Sequence, residues 1–363
     1  MPNRLTRLFK IHHSLPVVMV LLAALSLVAC VSSSSGAKPT QVAEKPHTAE
    51  QAEQDAFDET FSAVVGVFAH IPDDARTAGI LGTRRQGSGV LIDDDGLILT
   101  IGYLIMESNE IVVVGPEGNQ IMADFVAYDH PTGFGLLRAR KSINAKSLKL
   151  GTSKTLDEGQ PVLAVSFDGR DPVIAATVVS RRPFAGYWEY LLDSAIFTLP
   201  PHHQYGGAAL IDSEGKLVGI GSLIVNDAVV EARPVIGNMF VPIDTLKPIL
   251  EDLIASGRRQ APVPPWLGVY TDEAEGRVYI TGIATDGPAQ EAGLKPGDII
   301  IGVDGKRVSN MIDCFQKVRR QGDAGSSIRV DVLPIGAKDL TINRINVKSL
   351  DRSDWLQMSY SPK

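Results

Sequence analysis

Apolar positions along this 363-residue chain fall into distinct regimes. The first is a single block from Val17 to Val28, preceded by Arg4, Arg7 and Lys10 and by Pro16. About a dozen apolar residues is short of the roughly 20 that cross a bilayer as a helix, and a short apolar block behind a positive segment is the pattern of an export signal. From Val31 to about Gln54, serine, alanine, Lys-Pro and scattered glutamate show no apolar periodicity, which predicts a flexible tether. From Phe57 to about Ile254 there are many short apolar runs broken by Gly, Asp and Pro. Examples are Ala63-Val64-Val65-Gly66-Val67-Phe68, Ile111-Val112-Val113-Val114, Val162-Leu163-Ala164-Val165 and Val178-Val179-Ser180. Short strands with turn signals between them predict an all-β sandwich or barrel. Asp94-Asp95-Gly96 and Ser213-Glu214-Gly215 are expected to be hairpin turns, and the segment from Pro242 to Ile254 a closing helix.

A proline-rich linker follows, Gly257 to Pro265, and then a second patterned region. There Pro288-Ala289 start a short helix that Gly293 caps, Gly297 turns the chain into a strand from Ile299 to Val303, and Asp304-Gly305 form a hairpin turn. A helix is expected from about Asn310 to Arg320. Its Cys314 and Val318 share one face and read as core; Met311 and Phe315 share another and could line a side-chain pocket.

Composition is that of a globular chain, 44% hydrophobic and 21% charged, long enough for two or three domains. The formal charge is −7, and removing Arg4, Arg7 and Lys10 with an export signal makes it −10. An acidic protein without a basic block argues against nucleic acid as a partner. Cysteine occurs only at 30 and 314. Leu27-Val28-Ala29-Cys30 resembles a bacterial lipobox, which implies that Cys30 becomes the lipid-modified first residue of the mature protein. Two or three acyl chains anchor stably. Val31, in place of Asp, favours the outer membrane, facing the periplasm. A plain secretory signal cut elsewhere, or an uncleaved anchor, is the competing reading. With Cys30 alkylated no disulfide forms, and Cys314 reads as a buried core residue. The adjacent His202-His203 read as a solvated loop pair, since neighbours in extended backbone point to opposite faces and no metal-ligand spacing supports them. No glycine-rich phosphate loop or dinucleotide fingerprint is present, so no cofactor is expected.

Three segments resemble the landmarks of the bacterial HtrA (DegP/DegS) family of trypsin-like serine proteases. They are Gly87-Ser88-Gly89-Val90-Leu91-Ile92 continuing to Tyr103-Leu104, Asp129-His130-Pro131-Thr132-Gly133-Phe134, and Gly206-Gly207-Ala208-Ala209-Leu210. The resemblance implies paired six-stranded β-barrels over about 200 residues. It also sets the histidine base at Tyr103, the orienting aspartate at Gly133 and the serine nucleophile at Gly206. None of the three holds the residue the chemistry needs: glycine offers neither nucleophile nor charge, and a phenol titrates near pH 10, too high for a general base. Gln204-Tyr205-Gly206 stand where the family's oxyanion segment would be. A substitute set from Ser194, His202 or His203, and Asp129 or Asp193 is the alternative. Trp266-Leu267-Gly268-Val269, together with the segment from Asp286 to Val308, resembles a bacterial PDZ domain. This implies that the Trp266–Val269 loop captures a terminal carboxylate while the next strand accepts the peptide as an added strand.

The expected organisation is a lipoprotein signal peptide (1–29), a tether (30–54), a trypsin-like domain (55–256), a linker (257–265), a PDZ domain (266–350) and a tail (351–363). The mostly β chain would be a membrane-anchored, catalytically inactive HtrA-like protein. It would bind peptides or protein C-termini through Trp266, Leu267, Gly268, Val269, Met311 and Phe315, as adaptor, scaffold or regulator of envelope protein quality control. A partner protease or an envelope complex fits that role, and the family's usual trimers leave homo-oligomerisation open. The rival functions are a serine endopeptidase with an unrecognised catalytic set and a structural lipoprotein subunit of an envelope complex.

Overall fold

The computed structural model describes residues 60–230, 233–260, 262–336 and 341–358. The expected signal peptide, the tether and Cys30 lie outside the described residues. Eighteen strands and a few short helices make up the described chain. Six strands close the first barrel: β1 (Val64–His70), β2 (Arg84–Leu91), β3 (Leu97–Ile101), β4 (Glu110–Val114), β5 (Gln120–Tyr128) and β6 (Phe134–Ala139), in the order β1-β2-β3-β6-β5-β4. Six more close the second: β7 (Pro161–Val165), β8 (Val173–Gly186), β9 (Tyr190–Leu199), β10 (Ala209–Ile211), β11 (Leu217–Val225) and β12 (Gly237–Pro242), in the order β10-β11-β12-β9-β8-β7. Closure leaves no free sheet edge. β5 alternates buried and outward positions from Ile121 to Phe125, the period of two that a one-sided strand requires. In β3 every residue is buried, because its outer face is covered as well as its inner one.

Side chains such as Val65, Val67, Ile98, Leu99, Leu136 and Leu137 are wholly enclosed, each contributing about 1.5–3 kcal/mol of burial. The expected turns are in place, with Gly96 at φ 82° and Gly215 at φ 74°. The closing helix differs from expectation. Ile243–Thr245 form a short 3-10 turn and a separate helix runs from Leu250 to Ser256. Pro248 lies between them, has no N–H to give a helix ladder and disfavours helical backbone at the residue before it.

The third body is a six-stranded sheet of β13 (Val269–Ala274), β14 (Arg277–Ile283), β15 (Ile299–Val303), β16 (Lys306–Arg307), β17 (Ser327–Leu333) and β18 (Asn343–Lys348), with β16 pairing only β15. Helices are numbered α1 (Ala78–Leu81), α2 (Leu250–Ser256), α3 (Pro288–Glu291), α4 (Met311–Arg319) and α5 (Arg352–Trp355). Asn310 caps α4 by accepting from the Asp313 amide. Cys314, Phe315 and Val318 all face one core, so Phe315 is not separated from the Cys314 face as the i, i+4 pairing suggested. Burial pushes the Cys314 thiol up to about 12, which makes it inert at neutral pH.

The linker and the segment after β18 are among the places where this body is tied to the barrels. Arg259 in the linker grips the buried Asp129 with Nε to Oδ1 at 2.6 Å and Nη2 to Oδ2 at 2.7 Å. The segment after β18 folds back across both: Trp355 Nε1 donates to the Thr285 carbonyl at 2.8 Å, while Arg352 Nη1 donates to Tyr128 Oη at 3.1 Å and to His130 Nδ1 at 3.0 Å. The expected tail is, up to residue 358, a clasp.

Candidate functional site

Tyr103 sits in the 3-10 turn Gly102–Leu104, which follows β3 directly. Its phenol donates to the Ser222 carbonyl at 2.9 Å. Burial, with Tyr205 nearby, raises its pKa above the ordinary 10, so the group stays a neutral donor. Gly206 lies beside it: a Cβ built on Gly206 would stand 3.0 Å from Tyr103 Oη. The structure therefore brings together the two positions that the resemblance assigns to base and nucleophile. Gly206 is held from below, its carbonyl accepting the Ser88 amide at 2.8 Å. Gly207 has φ 75° and no room for a side chain, since a Cβ there would meet the Ser88 carbonyl at 1.9 Å. A cleft of about 270 Å³ opens above, lined among others by Phe68, Tyr103, Phe167, His203 and Gln204.

Gly133 belongs to the same corner, its carbonyl accepting the Gly102 amide at 2.7 Å. A Cβ there would meet Tyr190 Oη at 3.0 Å, and that hydroxyl already donates to the Thr132 carbonyl at 2.6 Å. Gly133 also has φ 79°. The carboxylate of this loop is Asp129 instead, which takes the Thr132 amide and hydroxyl as well as Arg259.

The members of the alternative set are engaged separately. Ser194 is exposed on β9 and accepts from Arg181 Nη2 at 3.1 Å; Asp193 beside it is exposed too. His202 is buried rather than solvated, because the chain leaving β9 packs it against Asn238 of β12, which donates to its carbonyl at 3.0 Å. Burial lowers its imidazole pKa, with the Pro172 carbonyl opposing. Among the described residues no cluster of His, Cys, Asp or Glu could hold a metal.

The second candidate site is the groove beside β13. Trp266 exchanges backbone hydrogen bonds with Leu350, and Gly268 adopts φ 82°, so that three successive amides converge on one point. That point holds the carboxylate of Glu189, from the tip of the β8–β9 hairpin. Leu267 N donates to Oε2 at 2.8 Å, Gly268 N to Oε1 at 2.6 Å and Val269 N to Oε1 at 2.9 Å. Thr271 N on β13 donates to the Tyr187 carbonyl at 2.8 Å. Leu191, 2% exposed, is enclosed with Leu267, Val269 and Phe315. Met311 sits at the groove's other wall, where Thr271 Oγ1 reaches its Sδ at 3.3 Å.

The trypsin-like peptidase domain family matches residues 87–220, and the PDZ domain family matches residues 279–334. The chain is HtrA-like: a trypsin-like peptidase domain followed by a PDZ domain. Its relatives include a probable periplasmic serine endoprotease DegP-like of Pseudomonas fulva, 28% identical over 261 residues, covering 66% of this chain and 52% of that protein. The serine protease Do-like HtrA of Bacillus subtilis is 26% identical over 285 residues, 70% of this chain and 62% of that protein. The serine endoprotease DegS of Haemophilus influenzae is 27% identical over 274 residues, 70% of this chain and 75% of that protein. The match thus spans little more than half of the first two. A solved HtrA-type protease with tripeptide superposes with a TM-score of 0.51 at 21% identity, covering 82% of this chain and 96% of that one, a likeness of fold.

Sequence reasoning missed Glu189, Arg259 and the Arg352–Trp355 clasp. Glu189 occupies an aromatic turn, Tyr187-Trp188-Glu189-Tyr190, in which a lone acid reads as solvated; its partners lie 78 to 80 residues further along.

Proposed function

We propose that this HtrA-like chain is a catalytically silent, lipid-anchored envelope protein that works by binding protein C-termini through its PDZ groove. The observation that carries the reading is the Tyr103–Gly206 pair: the position assigned to the base holds a neutral phenol donating to the Ser222 carbonyl, and the position assigned to the nucleophile holds no side chain. Triad members act as a unit, and their loss costs about 10^6 in rate. The relatives are named serine proteases, and this chain keeps their two domains while lacking the three groups. Binding is supported by the convergent amides of Leu267, Gly268 and Val269, which favour a carboxylate and are the geometry by which a terminal carboxylate is captured.

The periplasmic relative agrees with the cell envelope, and no described helix is long and apolar enough to cross a membrane. Lipid on Cys30 would supply the anchor, and the adaptor, scaffold or regulatory role would follow from presenting the groove at the membrane. Turnover of fluorescent casein by the purified mature protein tests the central part. None above the buffer rate is expected; turnover that disappears in Ser194→Ala or His202→Ala would establish the rival enzyme.

A further inference from the structure

A protein C-terminus supplies a PDZ domain with a carboxylate, an extended backbone and an apolar last side chain. The tip of the β8–β9 hairpin supplies all three to the groove of its own chain. Glu189 provides the carboxylate, accepting three amides at 2.6 to 2.9 Å. Tyr187 provides the backbone, its carbonyl accepting the Thr271 amide at 2.8 Å. From Tyr187 to Glu189 the contacts move backwards along the partner, from Thr271 to the 267–269 loop, so the tip runs antiparallel to β13 as an added strand would. Leu191 provides the apolar side chain, buried in the same core as Leu267 and Phe315. Glu189 has φ 62°, a turn conformation uncommon for a residue with a side chain, and this is what carries the chain back into β9. An internal turn thereby does the work of a chain end.

We infer that the Tyr187–Glu189 tip is an intramolecular ligand of the PDZ groove, and that a partner C-terminus with a free carboxylate and an apolar last residue binds by displacing it. This rests on the reading of the groove as a C-terminus receptor and adds what holds it shut and what opens it. The three amides cannot serve two carboxylates at once, so occupancy is competitive. The partner's last side chain takes the place of Leu191, and its extended backbone takes the Thr271 amide from Tyr187. The tip is suited to release: Tyr187 is 44% exposed, and Trp188 stacks on Tyr190 at 5.3 Å within the hairpin itself, a contact that need not break when the tip lifts.

The apparent affinity of a gated site is the intrinsic one multiplied by the fraction open, so a tip docked more than nine-tenths of the time weakens binding roughly tenfold or more. The test uses the mature full chain at pH 7.5 and a fluorescent decapeptide ending in Leu with a free carboxylate, beside its C-terminal amide. Glu189→Ala leaves the docked tip with no acceptor for the three amides. Its affinity for the free peptide should rise at least tenfold over wild type, with the amide weak in both, and the amides of Leu267, Gly268 and Val269 should exchange hydrogen faster when no peptide is present. Glu189→Asp, which keeps the charge one methylene short, should fall between and serves if the alanine variant does not fold. Equal affinity of wild type and both variants for the free peptide would overturn the gate while leaving C-terminus capture standing. If no protein binds the free peptide, or free and amidated peptides bind alike, C-terminus capture fails and the displacement with it.

Discussion

Removing Arg259 should cost more stability than any other single surface-to-core truncation in the linker. Asp129 is 1% exposed in its side chain and Arg259 16%, so the bidentate pair is largely shielded from solvent. Taking away one partner of a buried pair leaves an uncompensated charge, at about 3–5 kcal/mol. Thr132 still donates its amide and hydroxyl to Oδ2, which places Arg259→Ala near the lower end, about 3 kcal/mol. For a folding unit of about 150–250 residues, each kcal/mol moves Tm by about 2–4 °C, so a fall of about 6–12 °C is expected. Differential scanning calorimetry of wild type, Arg259→Ala, Asp129→Asn and the double variant makes the argument quantitative. Once Asp129 is neutral, losing Arg259 should cost far less, giving a coupling of about 1–3 kcal/mol between the two sites. A fall below 2 °C for Arg259→Ala, or strictly additive single effects, would refute the claim that this pair is buried and coupled.

Burial pushes the Glu189 carboxyl up to about 7, opposed by the Leu267, Val269 and Gly268 amides and by Arg352. A carboxyl docked near 7 and ordinary near 4.5 when free makes docking full below about 4.5 and progressively weaker as pH rises through about 7. Of the other groups around it, burial pushes His130 well below the usual histidine range, pushes Cys314 and Tyr270 up, and lowers the Arg319 guanidinium. Affinity for a free C-terminal peptide, followed by fluorescence anisotropy, should therefore rise from pH 5 to 8 by up to roughly a hundredfold in wild type and stay nearly flat in Glu189→Ala. Gly133→Asp should destabilise by about 1–3 kcal/mol in urea unfolding, because φ 79° is strained for a side chain and Tyr190 Oη stands 3.0 Å from the new Cβ; an unchanged midpoint would contradict this. Cys30→Ala should release the protein from membranes or leave an unprocessed precursor on fractionation, and unchanged retention and processing would remove the lipid anchor from the account.

The strands were legible because they are short apolar runs separated by turn residues, with Asp-Gly or Glu-Gly at tight turns such as those at Gly96 and Gly215. The helix from Pro242 to Ile254 was over-read because apolar spacing alone ignores what Pro248 does to the ladder. Tyr103, Gly133 and Gly206 could be located through the residues flanking them, and the proximity of Tyr103 to Gly206 comes from the two barrels packing together, with the Ser88 amide of β2 donating to the Gly206 carbonyl. His202 was misjudged, since its burial depends on Asn238 from another strand. The charged contacts were out of reach for the same reason. Glu189, Arg259 and Arg352 pair with groups 78, 130 and 222 residues away, and nothing in their local sequence distinguishes them from solvated charges. Local pattern encodes elements; these partners are set only once the elements are packed.

Catalytic silence is tested most directly by labelling the folded mature protein with a fluorophosphonate probe, which reacts with an activated serine and not with an ordinary hydroxyl. Gly206 has no hydroxyl, and Tyr103, bonded to the Ser222 carbonyl, accepts no proton. No labelling above that of heat-denatured protein is expected. Stoichiometric labelling of a serine in the folded chain, abolished on denaturation, would contradict it.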